Sequence, residues 1–195
     1  GIFMQEAYPT GGAMTAVLGL DSDRIEEICR QTEGIVSIAN YNCPGQIVIT
    51  GEEAAVTKAS EALSDAGAKR CVPLKVSGPF HSELLKGAGE KLEKELIGIR
   101  LRNPSIPYIS NLDALDVTAA PPIKTLLKSQ VSNSVCWQQS VEKMIADGID
   151  TFIEIGPGKV LSGFMRKINK DVRCMNIDKL EDLDKVLETL KGKEE

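Results

Sequence analysis

The stretch VSGPFHSEL, residues 76 to 84, holds His81, the only histidine of this 195-residue chain. An imidazole titrates near neutrality and is the commonest general base in proteins. Here it falls between an apolar run, CVPLKV, and a helix-like pattern, SELLKGAGEKLEKEL. On these residues alone, His81 is either a catalytic base or an ordinary residue at a helix start. A base needs a group to activate. The sequence has no G-x-S-x-G elbow, and no serine stands between two glycines in a strand-to-helix turn. None of the five cysteines has an activating context. The residues supply a possible base without its nucleophile.

A second stretch, GPGKVLSG at 156–163, follows a predicted strand and opens a predicted helix. Glycines in that setting can cradle a phosphate on backbone N–H groups, or can simply make a tight turn. The spacing is neither the dinucleotide fingerprint nor a Walker A loop. The cysteines, at 29, 43, 71, 136 and 174, are scattered, with no C-x-x-C pair, and one histidine cannot complete a Cys/His zinc set. They read as reduced, mostly buried thiols of a cytoplasmic protein, with no metal site among them.

Periodicity supplies the elements that must position these groups. AMTAVLGL (13–20) is a strand. DSDRIEEICRQTE is a helix with Ile25, Ile28 and Cys29 on one face, and Asp23 with Glu26 has the spacing of a capping box. IVSIANY (35–41) and QIVIT (46–50) are strands joined through NCPG, where Pro44–Gly45 suits the centre of a type II turn. EEAAVTKASEALSDAG is a helix and AKRCVPLKV a strand. The order β-α-β-β-α-β predicts a split-βαβ, ferredoxin-like small domain.

Beyond His81 the pattern changes. Leu85, Ala88, Leu92 and Leu96 make a helix stripe, and PYIS (107–110) is a short strand. Helices are predicted at PPIKTLLKSQV and around Trp137, Val141 and Met144. TFIEI (151–155) and VRCMNI (172–177) are strands flanking a helix that follows GPGK. DKLEDLDKVLETL is an amphipathic helix with Asp178 as cap and Glu181 as its capping partner. Alternating strands and helices predict a parallel sheet. Three strands leave such a sheet with uncovered edges, so this region reads as part of a larger α/β domain.

The apolar share of 42% is that of a globular protein, and no apolar run approaches the ~20 residues that span a bilayer. A net charge of −5 argues against nucleic acid as a general partner but allows an anion at a local basic patch. The sequence opens on Gly1, with its first methionine at Met4 and no signal segment, and reads as a fragment or a processed product.

FMQEA (3–7), NYNCPGQIVITG (40–51), AGAKRCVPLKVSGPFH (66–81), SNLDA (110–114), SQVSNSVCWQQSV (129–141) and EIGPGKVLSGFMRKI (154–168) together resemble the malonyl-CoA:acyl carrier protein transacylase family of fatty-acid and polyketide synthesis. The likeness runs in order along the chain and covers the C-terminal two-thirds of that family's usual length. It implies a ferredoxin-like small domain at 8–76, inserted in an α/β-hydrolase-like large domain whose C-terminal part is 77–195, with 1–7 the end of its preceding segment. It also implies that the family's nucleophilic serine, carboxylate-gripping arginine and oxyanion-hole glutamine all precede Gly1. The acyl transfer so implied runs through an acyl-serine and is expected to need no metal or organic cofactor. This chain alone is then expected to be inactive, with the N-terminal part of the same enzyme as its partner. The alternative is a stand-alone, non-catalytic binding module.

Carried over residue by residue, the resemblance makes His81 the catalytic base, Gln130 the residue whose backbone carbonyl orients it, and Asn111 a polar group nearby. A neutral carbonyl can fix the tautomer without burying a negative charge, and the dipole of a helix N-terminus would help to keep an unpaired imidazole neutral. Phe80 resembles the malonyl-type variant of the motif. Asn40, Asn42, Gln46, Lys69 and Arg70 are expected to contact malonyl-CoA or the acidic acyl carrier protein, Lys69 and Arg70 foremost because an acidic chain must concentrate positive charge where an anion docks. Neither nucleic acid nor membrane is an expected partner.

Overall fold

The computed structural model describes residues 1–76 and 78–191, in two compact units, Gly1–Ser140 and Val141 onward. The first unit opens with a short helix, α1 (Ile2–Ala7). Then come β1 (Gly12–Leu18), α2 (Ser22–Gln31), β2 (Val36–Cys43), β3 (Gln46–Glu52), α3 (Glu53–Asp65) and β4 (Arg70–Pro73). The four strands form one antiparallel sheet in the order β2-β3-β1-β4.

Alternation sends Val17, Ile38, Ile47 and Ile49 to one face, where α2 and α3 cover them with Ile25, Ile28, Val56 and Leu63. The opposite face carries a smaller cluster of Met14, Ala39 and Val48. Strand β2 is irregular. Its register against β3 shifts between Ile38 and Asn40 and again between Tyr41 and Cys43. Such bulges bend a strand and re-aim its side chains.

A 3-10 turn, Glu83–Leu85, leads into α4 (Lys86–Leu96). The predicted strand at 107–110 shrinks to β5 (Tyr108–Ile109). It does not join a parallel sheet; it pairs antiparallel with β6 (Asp116–Val117), which the periodicity did not signal because two residues carry none. The helices α5 (Ile123–Ser129) and α6 (Trp137–Ala146) follow.

In the second unit, β7 (Thr151–Ile155) and β8 (Arg173–Ile177) pair in parallel through the crossover helix α7 (Val160–Ile168), and α8 (Leu180–Lys191) packs on β8. The GPGK turn takes the plainer of its two readings. The Glu154 carboxylate accepts from the N–H groups of Leu161 and Ser162 and from the Ser162 hydroxyl. The N-terminus of α7 is therefore supplied with an anion by the chain's own preceding strand. Asn176 ties the loop down, donating to the carbonyls of Glu154 and Gly158.

Two predicted caps are corrected. In α2 the cap is Asp21, whose extended backbone precedes the helix and whose carboxylate accepts from Arg24 N–H at 2.9 Å; Asp23 already lies inside the first turn. In α8 the carboxylate that reaches back is Asp182, not Glu181. It accepts from the N–H groups of Asp178 and Lys179, so the capping pattern sits one residue later than the sequence suggested.

Asp21→Ala should therefore cost about 1 kcal/mol in denaturant unfolding, whereas Asp23→Ala should change little. For Glu154, partial burial pushes the carboxyl up, but the bonds from Ser162, Leu161 and Val160 outweigh it and hold the group below its ordinary 4.5. A depressed carboxyl contributes stability in full above its unfolded value and loses it as pH falls through the folded one. Glu154→Ala should thus lower the unfolding temperature at pH 7, and the gap to wild type should close as the pH is taken down through that acidic window.

Candidate functional site

All nine candidate residues lie in the first unit. His81 is set by its neighbours on both sides. Pro79 is fully buried and lies directly on the start of β1, where a Cβ on Gly12 would fall 2.2 Å from the proline Cδ. Phe80 packs against the Met14, Ala39 and Val48 cluster. Ser82 is fully buried and caps the 3-10 turn, its hydroxyl accepting from Leu84 N–H. Between these anchors His81 takes a left-handed conformation, φ +61°, which costs a non-glycine residue energy and persists only where the surroundings enforce it.

The helix-start reading of His81 needs amending. The residue precedes the cap rather than occupying the first turn, that turn is 3-10, and the ring is not unpaired. Its Nδ1 lies 3.0 Å from the backbone carbonyl oxygen of Gln130. A carbonyl can only accept, so Nδ1 carries the proton and the neutral ring keeps its lone pair on Nε2.

Two packed helices bring Gln130 to this point. It terminates α5, which lies against α4, the helix that follows His81. Gly89 permits the approach: a Cβ there would sit 2.8 Å from the Lys128 carbonyl oxygen. Lys128 also pairs with Glu93 of α4 at 2.7 Å.

The segment after Gln130 runs along the outer edge of β2. Val135 N–H donates to Ala39 O at 2.8 Å, Tyr41 N–H donates to Val135 O at 2.9 Å, and the Ser134 hydroxyl donates to Ile38 O at 2.5 Å. Cys136 N–H then donates to the Asn111 carbonyl at 2.7 Å. Asn111 thus enters the arrangement through its backbone, its side chain being exposed.

The strand register sorts the remaining candidates. Gln46, Leu18 and Arg70 are lateral neighbours across β3, β1 and β4, and Asn40 lies opposite Val48. Facing residues of antiparallel strands point to the same side. Asn40, Gln46 and Arg70 therefore share the sheet face on which Phe80 packs. Asn42 falls at the second irregularity of β2, next to the hairpin. Lys69 precedes β4 and lays its stem over Gly19, apart from the Arg70 row.

Sequence reasoning did not single out Ser82, Ser134 or Val135. The two serines carry no pattern beyond a hydroxyl, and the contacts they make are set by the fold. Two of the thiols are poorly disposed to act as nucleophiles. Burial, with Glu26 adding to it, pushes the Cys29 thiol up to about 11, and burial followed by Asp113 raises Cys136. His81 borders a cleft of about 400 Å³ shared with Arg30, Ser37, Glu83 and Ser134. A larger one, about 600 Å³ between α3 and β4, contains none of the candidates and is not where the histidine chemistry lies.

A family model described as the acyl transferase domain matches residues 1–180. The malonyl CoA-acyl carrier protein transacylase of Bacillus subtilis is 45% identical over 195 residues, 98% of this chain and 62% of that protein. The crystal structure of the malonyl CoA-acyl carrier protein transacylase from Clostridium perfringens is 45% identical, with a TM-score of 0.94 over 99% of this chain and 62% of that one. A type II PKS acyl-carrier protein in complex with its malonyl-transacylase, PlMCAT:AntF, is matched at 39% identity and a TM-score of 0.94, over 96% of this chain and 62% of the other. The chain thus spans about 62% of the length of such relatives. With its histidine held by a carbonyl and its sequence matched nearly end to end, the chain belongs to the acyl transferase domain family.

Proposed function

We propose that this chain is the histidine-bearing part of a cytoplasmic enzyme that moves a malonyl group from CoA to the phosphopantetheine thiol of acyl carrier protein in fatty-acid biosynthesis. The observation that carries the reading is the His81 Nδ1 to Gln130 carbonyl bond, which presents Nε2 as a base. The names of the relatives supply the substrate pair. A serine hydroxyl, supplied by a part of the enzyme N-terminal to this chain, gives its proton to Nε2 as its oxygen attacks the malonyl thioester. The C–S bond breaks and the CoA sulfur takes that proton from the ring. In the second half the carrier-protein thiol gives its proton to Nε2 as its sulfur attacks the malonyl-serine ester; the C–O bond breaks and the serine oxygen takes that proton back from the ring.

In this reading residues 8–76 are a ferredoxin-like small domain, supported by the βαββαβ order, and residues 1–7 and 77–195 belong to an α/β-hydrolase-like large domain. Ile97, Ile106, Ile155 and Leu180 are more than half exposed, which favours further polypeptide packing on both units. Asn40, Gln46 and Arg70 line the substrate path beside Phe80, with Asn42 at its hairpin end. Arg70 and Lys69 receive the anionic groups of CoA or of the carrier protein, and Asn111 supports the Gln130 segment from below.

The test is made in the complete enzyme by pre-steady-state acylation with malonyl-CoA. His81→Ala should slow acylation by ~10²–10⁴ with little change in affinity. Arg70→Ala should weaken binding, more at low salt than at high, and leave single-turnover chemistry nearly intact. Gln130→Ala should be mild because it keeps the carbonyl. Wild-type acylation by His81→Ala would overturn the proposal.

A further inference from the structure

The base and its orienting carbonyl are both anchored to one strand. Phe80, next to His81, rests on a cluster that includes Ala39, and the segment leading away from Gln130 is zipped to Ile38, Ala39 and Tyr41. Ala39 belongs to both attachments: it is fully buried beneath the Phe80 cluster, and its carbonyl accepts from Val135. It also sits in the first irregularity of β2, where the regular ladder to β3 lapses between Ile38 and Asn40. At a bulge the pairing register is loose, so something must say which residue of the incoming segment meets which residue of β2.

The two backbone bonds of Val135 cannot do this alone, because every residue offers the same N–H and C=O. The Ser134 side chain can. Its hydroxyl lies 2.5 Å from Ile38 O, the last carbonyl before the irregularity. A segment shifted by one residue would bring Asn133 or Val135 to that carbonyl; valine has no donor, and Asn133 already donates to Ser129 O. A shift would also move Gln130, four residues upstream, along the strand direction by about 3.3 Å per residue, out of reach of Nδ1.

Resting on the transacylase reading for its catalytic consequence, we infer that Ser134 is a positioning residue: its bond to Ile38 sets the register of residues 130–136 on the bulged edge of β2, and so holds the Gln130 carbonyl on His81. Asn40 bridges to Val135 across the same contact, so the sheet face assigned to the substrate and the tautomer of the base are set by one junction. Ser134 acts through Gln130 and touches no reacting atom.

The test reads the imidazole itself. His81 is the chain's only histidine, so its ring nitrogens give an unambiguous 15N spectrum, in which protonated and lone-pair nitrogens are well separated. In the full chain, Ser134→Ala should lower the Nδ1–H population and speed hydrogen exchange at Val135 N–H, while Ser134→Thr, which keeps the hydroxyl, should match wild type in both. A Ser134→Ala chain with wild-type tautomer and exchange overturns the inference. If Ser134→Ala does not fold, Ser134→Thr decides: a folded Thr variant with an altered tautomer overturns it as well. In the complete enzyme, Ser134→Ala should slow acylation about tenfold at unchanged KM, as expected for a displaced rather than a lost base. The two readings fail separately. Altered spectra with no kinetic effect of His81→Ala would sink the transacylase reading and leave the positioning role standing.

Discussion

The structure turns on the inability of a carbonyl to donate. Because Gln130 offers only lone pairs, the imidazole beside it has one neutral arrangement that keeps the bond, with the proton on Nδ1. A carboxylate in that place would also fix the ring, but would stabilise the imidazolium and bury a charge. The rest of the first unit can be understood as the apparatus that brings one backbone oxygen to one ring nitrogen across 49 residues of sequence. Pro79 and Phe80 seat one partner on the sheet, and the packing of α5 on α4 delivers the other.

That apparatus tolerates local strain. His81 has a left-handed backbone, a conformation that glycine, asparagine or aspartate adopts more readily. The buried cap at Ser82 and the buried ring of Pro79 hold it from either side. With the backbone in that conformation, the ring lies within hydrogen-bond reach of the Gln130 carbonyl.

Much of this was legible in the sequence where periodicity runs long. The alternation in AMTAVLGL and QIVIT and the stripes in the flanking helices gave the sheet and its covering layer, because a half-buried strand and a half-buried helix leave different spacings of apolar residues. The candidate site was legible through resemblance, not spacing: a lone histidine carries no pattern. What stayed hidden was short or made of backbone. β6 has two residues, the bulges of β2 displace its alternation by single residues, and the bonds of Val135 involve no side chain. The helix caps were misplaced by a residue or two because Asp21 and Asp23, like Glu181 and Asp182, are chemically equivalent choices that only the backbone angle distinguishes.

The docking of residues 134–135 on β2 bears on how the sheet meets its surroundings. An antiparallel sheet has two open borders, each a template for a foreign strand. On one border the chain has laid its own backbone, and the N–H of Tyr41 and the carbonyls of Ile38 and Ala39 are already taken. The other border is β4, four residues long, preceded by Lys69, begun by Arg70 and ended by Pro73, which has no N–H to offer. Charge repels an incoming strand at one end of β4 and proline stops it at the other. Each border of the sheet thus carries a feature that disfavours strand addition: its own docked backbone along residues 38–41 of β2, and charge and a proline at the two ends of β4.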